Sequence, residues 1–452
     1  MIFDKVLEIY QRYYICVHCL GRMFSLLGTY TTNSERGKSL LLSITMENHR
    51  NYLSGNEVIQ NESINNLKLL ANNAKFYPAQ KVLENEGLIE QQTDVYQICY
   101  LCHDIFSNLK KYTNKAIEGL ENIEFNNFLI GSKPDSKIIN QEDKFKSEFN
   151  LLEAESFKSH FNRVLGKELT RILNQNPEFS NPDVLLVYSF DYNNYSVEFL
   201  VKSIFIYGRY NKMIRGIPQT HWFCKKCMGA GCELCDYTGR QYLTSVEDLI
   251  SPEFLDESKA SDAKFHGAGR EDIDVRMLGS GRPFILELRN PKIRNLNLDE
   301  IQKRTNKKNR KKVRICDLRY SSKKEVIKLK SEAKNTKKIY KAIVESESKI
   351  NKEEFVKKLI RLKKIFENKE IQQRTPYRVS HRRSDKVREK AIYNIEGKFI
   401  KPNLFEFIIE TQGGTYIKEL ISGDEGRTTP SFEEIFDSPL KCRELDVIKI
   451  SI

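Results

Sequence analysis

The spacing of apolar residues predicts helices in the first part of the chain. Apolar positions recur at intervals of three and four in residues 26–42 and 63–74, which is typical of amphipathic helices. A further helix with one apolar face is predicted over residues 153–173. Residues 123–146 are more polar and irregular, so no regular element is predicted there.

Short apolar runs predict strands in the rest of the chain. Two strands are predicted at 184–190 and 196–206, joined by a hairpin loop at 191–195. Five more follow: Ile273–Leu278, Phe284–Leu288, Ala391–Ile395, Leu404–Thr411 and Glu444–Ile450. A basic helix at 353–371 interrupts them, and the lysine-rich stretch 303–312 is expected to be mobile.

This order of elements predicts an α+β protein with two domains. The first, residues 1–240, is expected to be an α/β accessory domain that carries clustered cysteines. The second, residues 241–452, is expected to contain a mixed or antiparallel sheet flanked by helices. A length of 452 residues is enough for two or three domains.

The chain has no sequence feature of a membrane protein. No apolar run approaches the roughly 18 residues that a membrane-spanning helix needs. The N-terminus has acidic residues where a signal peptide would be basic. We therefore expect a cytoplasmic protein without a membrane partner, in which the ten cysteines do not form disulfides.

Eight of the ten cysteines form four Cys-x-x-Cys pairs, a spacing that supplies thiolates to tetrahedral Zn²⁺ sites. The pairs are Cys16/Cys19, Cys99/Cys102, Cys224/Cys227 and Cys232/Cys235. The last two pairs are close enough in sequence to form one zinc knuckle at 224–235. The first two pairs are far apart in sequence and would share one ion only if the folded chain brings them together. Four thiolates leave no open coordination position, so both ions are expected to be structural. Thioredoxin-like redox chemistry is the alternative, but no pair lies in an obvious βαβ unit.

The net charge of +13 is concentrated in one segment. Residues 301–400 contain 33 Lys and Arg against 12 Asp and Glu, a net of +21, whereas the rest of the chain has a net of −8. Such a segment is usually a solvated surface. However, the run Arg374–Arg383 combines arginines with Pro376 and Tyr377, which suits phosphate contact and base stacking. A nucleic acid is therefore the favoured partner.

The densest group of polar residues and glycines is His266–Arg276. Within it, Asp272 is expected at the entrance of the strand 273–278, beside Arg270 and Arg276. A carboxylate next to arginines stays ionised, which suits a nucleophile and not a general acid. Its glycines do not make a dinucleotide-binding fingerprint, because Asp272 takes the position of the third glycine. By itself, a segment of this kind is more often only a turn.

Four segments together resemble the motif series of RNA pseudouridine synthases. They are Gly269-Arg-Glu-Asp272, Lys338-Ile-Tyr-Lys-Ala-Ile-Val344, Arg374–Arg383 and Gly413-Gly-Thr-Tyr-Ile-Lys-Glu-Leu420. With its flanking residues, the chain is similar to the archaeal "Pus-ten" family of tRNA pseudouridine synthases. The resemblance covers most of residues 150–452, and it extends to residues 1–150 mainly through the cysteine pairs.

The resemblance implies an isomerase that converts uridine to pseudouridine at positions 54 and 55 in the TΨC loop of tRNA. It implies base flipping, no organic cofactor, and Asp272 as the nucleophile that attacks either ribose C1′ or the uracil ring. The residues implied to contact the substrate are Tyr340, Tyr416, Lys418 and Leu445, and Lys418 also pairs with the aspartate. The accessory domain, with a THUMP-like portion at about 60–205, would hold the tRNA, whose TΨC arm is the expected partner, and the enzyme is expected to be a monomer.

Several alternatives stay open at this point. Arg209 and Arg215 are candidates for substrate binding, but a structural role beside the zinc knuckle is equally consistent with their positions. A THUMP-type enzyme of other chemistry, such as a methyltransferase or a thiolase, would need a cofactor loop in a βαβ context, which the sequence lacks. A non-catalytic zinc RNA-binding protein would lose nothing but affinity on Asp272→Ala.

Overall fold

The computed structural model describes residues 1–90, 96–191, 194–332 and 336–451. The chain divides into two compact units, Met1–Lys202 and Ser203–Ile452. The boundary thus follows Lys202 and does not lie at the expected residue 240. The reason is that the single strand predicted at 196–206 is two strands, one in each unit. As a consequence the knuckle at 224–235 belongs to the second unit.

Unit 1 begins with helices and ends with a small sheet. Its helices and strands are α1 (Ile2–Arg12), α2 (Val17–Met23), α3 (Asn33–Leu53), α4 (Glu57–Asn72), α5 (Tyr77–Asn85), α6 (Leu109–Leu120), β1 (Asn127–Pro134), α7 (Ser136–Glu148), α8 (Phe157–Leu173), β2 (Asn176–Pro177), β3 (Val184–Phe190) and β4 (Tyr195–Val201). Helix α3 begins where the side chains of Thr32 and Glu35 each cap the backbone of the other.

The sheet of unit 1 has the strand order β2-β1-β3-β4. Strand β1 is parallel to β2 and β3, and β3 is antiparallel to β4. Helices α7 and α8 connect the parallel pair β1 and β3, as a crossover connection requires. The predicted strand at 184–190 is confirmed, and it pairs with the next strand as a hairpin; residues 192–193 of that loop lie outside the described residues.

The prediction of an irregular segment at 123–146 is wrong. The segment contains strand β1, whose residues alternate between half-buried and buried as far as Ser132. It also contains most of helix α7, which Asp135 caps by accepting from the backbone of Lys137. Helix α7 buries only Ile138, Glu142 and Phe145. So few apolar positions give almost no periodic signal in the sequence.

Unit 2 is built on one large sheet. Its helices and strands are β5 (Ile204–Lys212), α9 (Val246–Ser258), β6 (Asp262–Gly267), β7 (Arg276–Arg289), α10 (Leu298–Lys308), β8 (Val313–Ser321), α11 (Lys323–Glu332), β9 (Lys337–Ser346), α12 (Lys352–Phe366), β10 (Lys369–Arg374), β11 (Val387–Lys401), β12 (Leu404–Gln412), α13 (Ile417–Ser422), β13 (Thr428–Thr429), α14 (Phe432–Phe436) and β14 (Leu440–Ser451). A short 3₁₀ helix, Tyr377–Arg382, precedes β11.

The ten-stranded sheet follows the order β13-β10-β11-β12-β9-β14-β7-β5-β8, with β6 paired to β7. All its neighbouring strands are antiparallel except β14 and β7, which are parallel. Strand β14 therefore lies between β9 and β7 in the middle of the sheet. The expected mixed sheet flanked by helices is confirmed.

Three local predictions in unit 2 need correction. The predicted strands at 273–278 and 284–288 are parts of one strand, β7, in which Gly279 and Gly281 have positive φ. The predicted helix at 353–371 ends at Phe366, and Asn368, with φ +58°, turns the chain into β10. Most of the stretch 303–312, expected to be mobile, lies in helix α10.

Helix α10 is ordered by contacts that its lysine-rich sequence does not suggest. It buries Ile301 and Thr305. Its Arg304 and Lys308 form ion pairs with Glu253 of α9 at 3.4 and 3.1 Å. Two of its four basic residues therefore pair with an acidic helix, and this part of the lysine-rich stretch is helical.

Candidate active site

Asp272 lies in a tight turn between strands β6 and β7. Gly269 begins the turn with φ +80°, a conformation that favours glycine. The backbone N–H of Val275 donates to the carbonyl of Asp272 at 3.1 Å. The ammonium of Lys212, on β5, donates to the carbonyls of Asp272 and Ile273, each at 3.2 Å. The position of Asp272 is therefore fixed through its backbone.

A buried polar cluster lies next to this turn. Glu271, whose side chain is 1% exposed, lies 2.8 Å from Nε of Arg282 and accepts a hydrogen bond from the hydroxyl of Tyr210 at 2.8 Å. Gln219 Nε2 donates to Tyr210 Oη at 2.8 Å and to the carbonyl of Gly269 at 3.0 Å. Because Glu271 is paired and hydrogen-bonded, this cluster can stabilise the turn without leaving its carboxylate uncompensated.

Two cations face the carboxylate of Asp272. Arg378 Nη1, from the 3₁₀ helix, lies 3.0 Å from Asp272 Oδ2, and Lys418 Nζ, from α13, lies 3.8 Å from it. Burial lowers the pKa of Arg378, but Glu419 and Asp272 raise it more, so the net shift is upward and the guanidinium stays charged. Lys418 Nζ is closer to Asp274, at 2.8 and 2.6 Å from its two oxygens.

Asp272 opens onto a cavity of about 890 Å³. The charged side chains that line it are Arg270, Glu271, Asp272, Asp274, Arg282, Lys338, Arg378, Arg383, Arg388, Lys390 and Lys418. Eight of these are cationic and three are acidic, so the cavity has a positive potential that suits a polyanion. The predicted residues Tyr340, Tyr416 and Leu445 also line it.

Tyr340 is a buried residue of strand β9. It is 8% exposed. Burial raises its pKa to about 12, with Arg282 lowering it and Asp272 raising it, so the phenol keeps its proton near neutral pH. Its ring is available for packing or stacking in the cavity, and it does not act there as a phenolate.

Tyr416 and Leu445 reach the cavity from two other elements. Tyr416 caps the start of α13, and Gln373 holds it by bonding to both its backbone N–H and its carbonyl. Its hydroxyl accepts a hydrogen bond from Arg383 Nη1 at 3.2 Å. Leu445, on β14, is 6% exposed. The structure therefore brings together five of the seven predicted catalytic and substrate-binding residues.

Arg209 and Arg215 are not among the residues that line this cavity. Arg209 donates to the carbonyls of Ser280, Gly281 and Ile450. Arg215 donates to the carbonyls of Asp274 and Leu445 and pairs with Glu444 and Asp446. Both guanidiniums connect β14 to the strand and turn beside it, which fits the structural alternative for these two residues.

The two arginines expected beside Asp272 contact other residues. Arg276 pairs with Asp446, at 2.6 Å, and Arg270 lies over the ring of Trp222. The arginine that does contact Asp272 is Arg378, which the sequence suggested only as part of a phosphate-binding run. Nothing in the local sequence links residues 272 and 378, because the contact depends on the tertiary fold.

The eight paired cysteines form two groups that can hold metal ions. They are Cys16, Cys19, Cys99 and Cys102 in unit 1, and Cys224, Cys227, Cys232 and Cys235 in unit 2, with the four Sγ atoms of each group within 4.8 Å of one another. A tetrahedral ion with metal–sulfur bonds of about 2.3 Å requires sulfur atoms roughly 3.8 Å apart. The Sγ–Sγ separations Cys16–Cys102, Cys224–Cys232 and Cys232–Cys235 are 3.7, 3.8 and 3.7 Å, far longer than a disulfide.

Backbone N–H groups support both metal-binding groups. The N–H of Cys16 donates to Cys99 Sγ at 3.2 Å, and the N–H of Gly239 donates to Cys235 Sγ at 3.3 Å. Such bonds stabilise thiolates. In unit 1 all four cysteines are buried, whereas Cys227 and Cys232 of the knuckle are half-buried.

Comparison with known proteins identifies the family. The family model described as "Pus10, C-terminal" matches residues 205–451, and the model "Pus10 THUMP domain, archaeal" matches residues 112–189. A protein named tRNA pseudouridine synthase Pus10 from Methanocaldococcus jannaschii is 41% identical over 98% of this chain and 93% of its own.

This chain belongs to the Pus10 family.

Other Pus10 relatives agree. The proteins of that name from Methanothermobacter marburgensis and Ignisphaera aggregans are 37% and 32% identical, each over 99% of this chain and over 97% and 99% of their own lengths. Among solved structures, one of a Cbf5-Nop10-Gar1 complex aligns with 45% of this chain and 45% of its own, at 17% identity and a TM-score of 0.28.

Family membership confirms the resemblance found in the sequence and the enzyme class. Pus10 proteins are named as tRNA pseudouridine synthases, which are isomerases. The Pus10 THUMP match is narrower than the expected portion at 60–205: it begins in α6 and ends in β3. Among the described residues, no helix has the length and apolar character needed to cross a membrane.

Proposed function

We propose that this Pus10 chain converts uridine to pseudouridine at positions 54 and 55 of the TΨC arm of tRNA, with Asp272 as the nucleophile. The main support is the position of Asp272 in the cavity. Its carboxylate is held by a fixed backbone turn and faces the cations Arg378 and Lys418. A carboxylate held in this position can act as a nucleophile toward a base or sugar that enters the cavity.

The reaction needs a detached base that can rotate. The C1′–N1 bond breaks, uracil turns, and C1′ forms a new bond to C5. The proton on C5 is lost and N1 gains one, so atoms balance without a redox partner or an organic cofactor. The target uridine must leave its stack for this to happen, and Tyr340 and Leu445 offer apolar surfaces in the cavity against which the ring can lie.

The charge around the cavity supports tRNA as the partner. The lining is mainly cationic, and the segment 301–400 has a net charge of +21. Not every arginine of the predicted phosphate-binding run is available, because Arg374 pairs with Asp385 at 2.6 Å and Arg378 pairs with Asp272 and Glu419. We therefore assign phosphate contact chiefly to the remaining exposed cations. The enzyme would act as a monomer, since all the residues invoked belong to unit 2 of one chain.

We assign Zn²⁺ to both cysteine groups. Four sulfur ligands at tetrahedral separations favour Zn²⁺, and they leave no coordination position for a substrate. The role of each ion would be structural: one would link α2 to the segment around Cys99, and the other would hold the loop 224–235.

Tritium release tests the proposed reaction. The wild-type protein and Asp272→Asn would be incubated with tRNA labelled with tritium at uracil C5, because formation of the C1′–C5 bond releases that proton. We expect release by the wild type, and none from tRNA in which cytidine replaces both U54 and U55. The variant should be slower by about 10⁴-fold or more. If tRNA binds the wild type but no tritium is released, the protein is a binding module and the proposal fails.

A further inference from the structure

Lys338 is a buried cation in the cavity with no protein partner. It lies on strand β9, two residues before Tyr340, so the two side chains share one face of the strand. Lys338 is 6% exposed and lines the cavity. Among the described residues no hydrogen bond or ion pair to its ammonium is found.

The surroundings of Lys338 explain why no protein group neutralises it. The ammonium of Lys338 and Nη1 of Arg282 both lie next to Gly269. A β-carbon added to this glycine would be 3.5 Å from the ammonium and 3.2 Å from Nη1. The nearby acid Glu271 is already occupied by Arg282 and Tyr210. Thr411 and Ile450, the strand neighbours of Lys338 on either side, carry no charge. An unpaired ammonium is costly in so buried a position, and a ligand that enters the cavity can offer it an acceptor.

We propose that Lys338 donates a hydrogen bond to a carbonyl oxygen of the flipped uracil and stabilises the negative charge that the ring acquires during the isomerisation. This inference rests on the proposed function. Whether Asp272 attacks C1′ or the ring, the electron pair that leaves the ribose or enters the ring is shared by the uracil carbonyl oxygens. Lys338 keeps its proton throughout, and the pair returns to C1′ through C5.

Depth in the cavity favours uracil over phosphate as the group that Lys338 contacts. The side chains of Arg378 and Lys418 are 37% and 24% exposed, whereas Lys338 lies beside the buried ring of Tyr340. The phosphates of a flipped nucleotide stay in the RNA backbone outside the cavity, and the base is the part that enters the cavity furthest. An ammonium can only donate, so it also favours the O4 acceptor of uracil over the amino group of cytosine.

The charge state of Lys338 gives the proposal a pH signature. Its pKa is lowered to about 7, first by burial, then by Arg282; Glu271 raises it and Lys390 lowers it further. The protonated form is the one that donates, so the second-order rate constant of the free enzyme should fall as pH rises through about 7. A lysine acting instead as a neutral general base would give the opposite slope.

Single-turnover tritium release from pH 6 to 9 tests this with Lys338→Met, Lys338→Arg and the control Lys341→Met, whose side chain pairs with Glu406 on the other face of β9. We expect Lys338→Met to lower the rate at saturating protein by about 10²-fold with less than a threefold change in tRNA Kd. In this variant, the ratio of the rate constant to the tRNA Kd should no longer fall above pH 7. Lys338→Arg should retain most of the rate and lose the same pH dependence, and Lys341→Met should match the wild type.

Several outcomes would overturn the inference. The first is a Lys338→Met rate within threefold of that of the wild type. The second is weaker tRNA binding by this variant with an unchanged rate at saturation, which indicates a phosphate contact. The third is a wild-type rate that rises with pH. An inactive wild type would instead refute the proposed function. Misfolding is a small risk, because Lys338→Met removes an unpaired buried charge, and an unchanged or higher Tm would confirm that the variant is folded.

Discussion

The guanidinium of Arg378 lies nearer to Asp272 than the ammonium of Lys418 does, at 3.0 Å against 3.8 Å from the same oxygen. Arg378 also pairs with the buried Glu419, through Nε at 2.5 Å. The main counter-ion of the proposed nucleophile is thus an arginine from the 3₁₀ helix before β11. Lys418 is shared between Asp272 and Asp274.

We expect Arg378→Met to reduce the single-turnover rate more than Lys418→Met does. The first change removes the nearest cation from the nucleophile, and we expect a loss of about 10²- to 10³-fold. The second removes a more distant cation, and we expect about a tenfold loss. Tritium release at saturating protein measures both rates. A larger loss with Lys418→Met would mean that Lys418, and not Arg378, is the functional partner of Asp272.

A stability measurement separates the two roles of Arg378. The methionine variant leaves Glu419, which is 4% exposed, buried without a cation, and we expect a loss of about 1–3 kcal/mol in the free energy of unfolding. Adding Glu419→Gln should restore most of that stability but none of the activity. Recovery of activity together with stability would show that Arg378 acts only through the fold.

Asp272 and Asp274 should differ sharply although they are two residues apart. Asp272→Asn removes the nucleophile and should abolish release. Asp274→Asn frees Lys418 from its shorter ion pair, at 2.6 Å, and the Asp274 side chain is 62% exposed. We therefore expect less than a tenfold change in the rate of tritium release. Comparable losses in the two variants, with both proteins folded, would require Asp274 to take part in the reaction.

Loss of metal should affect the two cysteine groups differently. We expect about two zinc ions per chain in the wild type, and Cys442→Ser is the control that should keep both. Cys19→Ser alters a fully buried residue of the unit 1 core, so it should remove one ion and lower Tm by roughly 10 °C or more. Cys232→Ser, in the half-buried knuckle, should remove one ion with a smaller drop. Metal analysis returning less than one ion in the wild type would contradict both assignments.

Unit 1 should lose stability in mild acid because of His160. His160 is 1% exposed, and the centroid of its ring lies 4.1 Å from that of Phe106. Its pKa is lowered to about 2, by burial first and then by Arg22. Unfolded histidine binds a proton below about pH 6.5, while folded His160 does not. The contribution of His160 to the free energy of unfolding is therefore fully present above that pH. Below it, the free energy of unfolding falls by up to about 1.4 kcal/mol per pH unit.

Thermal melts at pH 7, 6 and 5 check this expectation. His160→Phe keeps the ring packing and cannot be protonated, so its Tm should fall less between pH 7 and 5 than that of the wild type. His49→Gln, at a half-buried surface position paired with Glu86, is the matched control and should follow the wild type. Equal slopes for all three proteins would show that another group causes the acid sensitivity.

The sequence was informative wherever a pattern is local. The strand at 184–190 was predicted correctly because a short apolar run lies between polar turns, and helix α8 because its apolar face repeats at helical spacing. Helix α7 was missed since it buries so few apolar side chains. Strand β7 was predicted as two strands because Gly279 and Gly281 are typical of a turn, although the chain passes them and continues in the same strand.

The site was predicted only as far as its motifs reach. Asp272, Tyr340, Tyr416, Lys418 and Leu445 do line one cavity. The contact of Arg378 with Asp272 and the unpaired state of Lys338 depend on distances across the sheet, which no periodicity or spacing encodes. The sequence is equally consistent with two roles for Arg209 and Arg215, and their bonds to backbone carbonyls favour the structural one.

The position of β14 has a consequence for how the protein is made. Strands β7, which follows Asp272, and β9, which carries Tyr340, are joined in the sheet only through β14 within the described strand order. During synthesis, β7 and β9 leave the ribosome long before residues 440–451 do. In the sheet, β7 and β9 can be joined only after β14 has been synthesised. Pairing between segments so far apart in the sequence makes folding slow. A nascent chain that stops before residue 440 would therefore contain Asp272, Tyr340 and Lys418 but would lack the strand that joins β7 to β9 in the sheet.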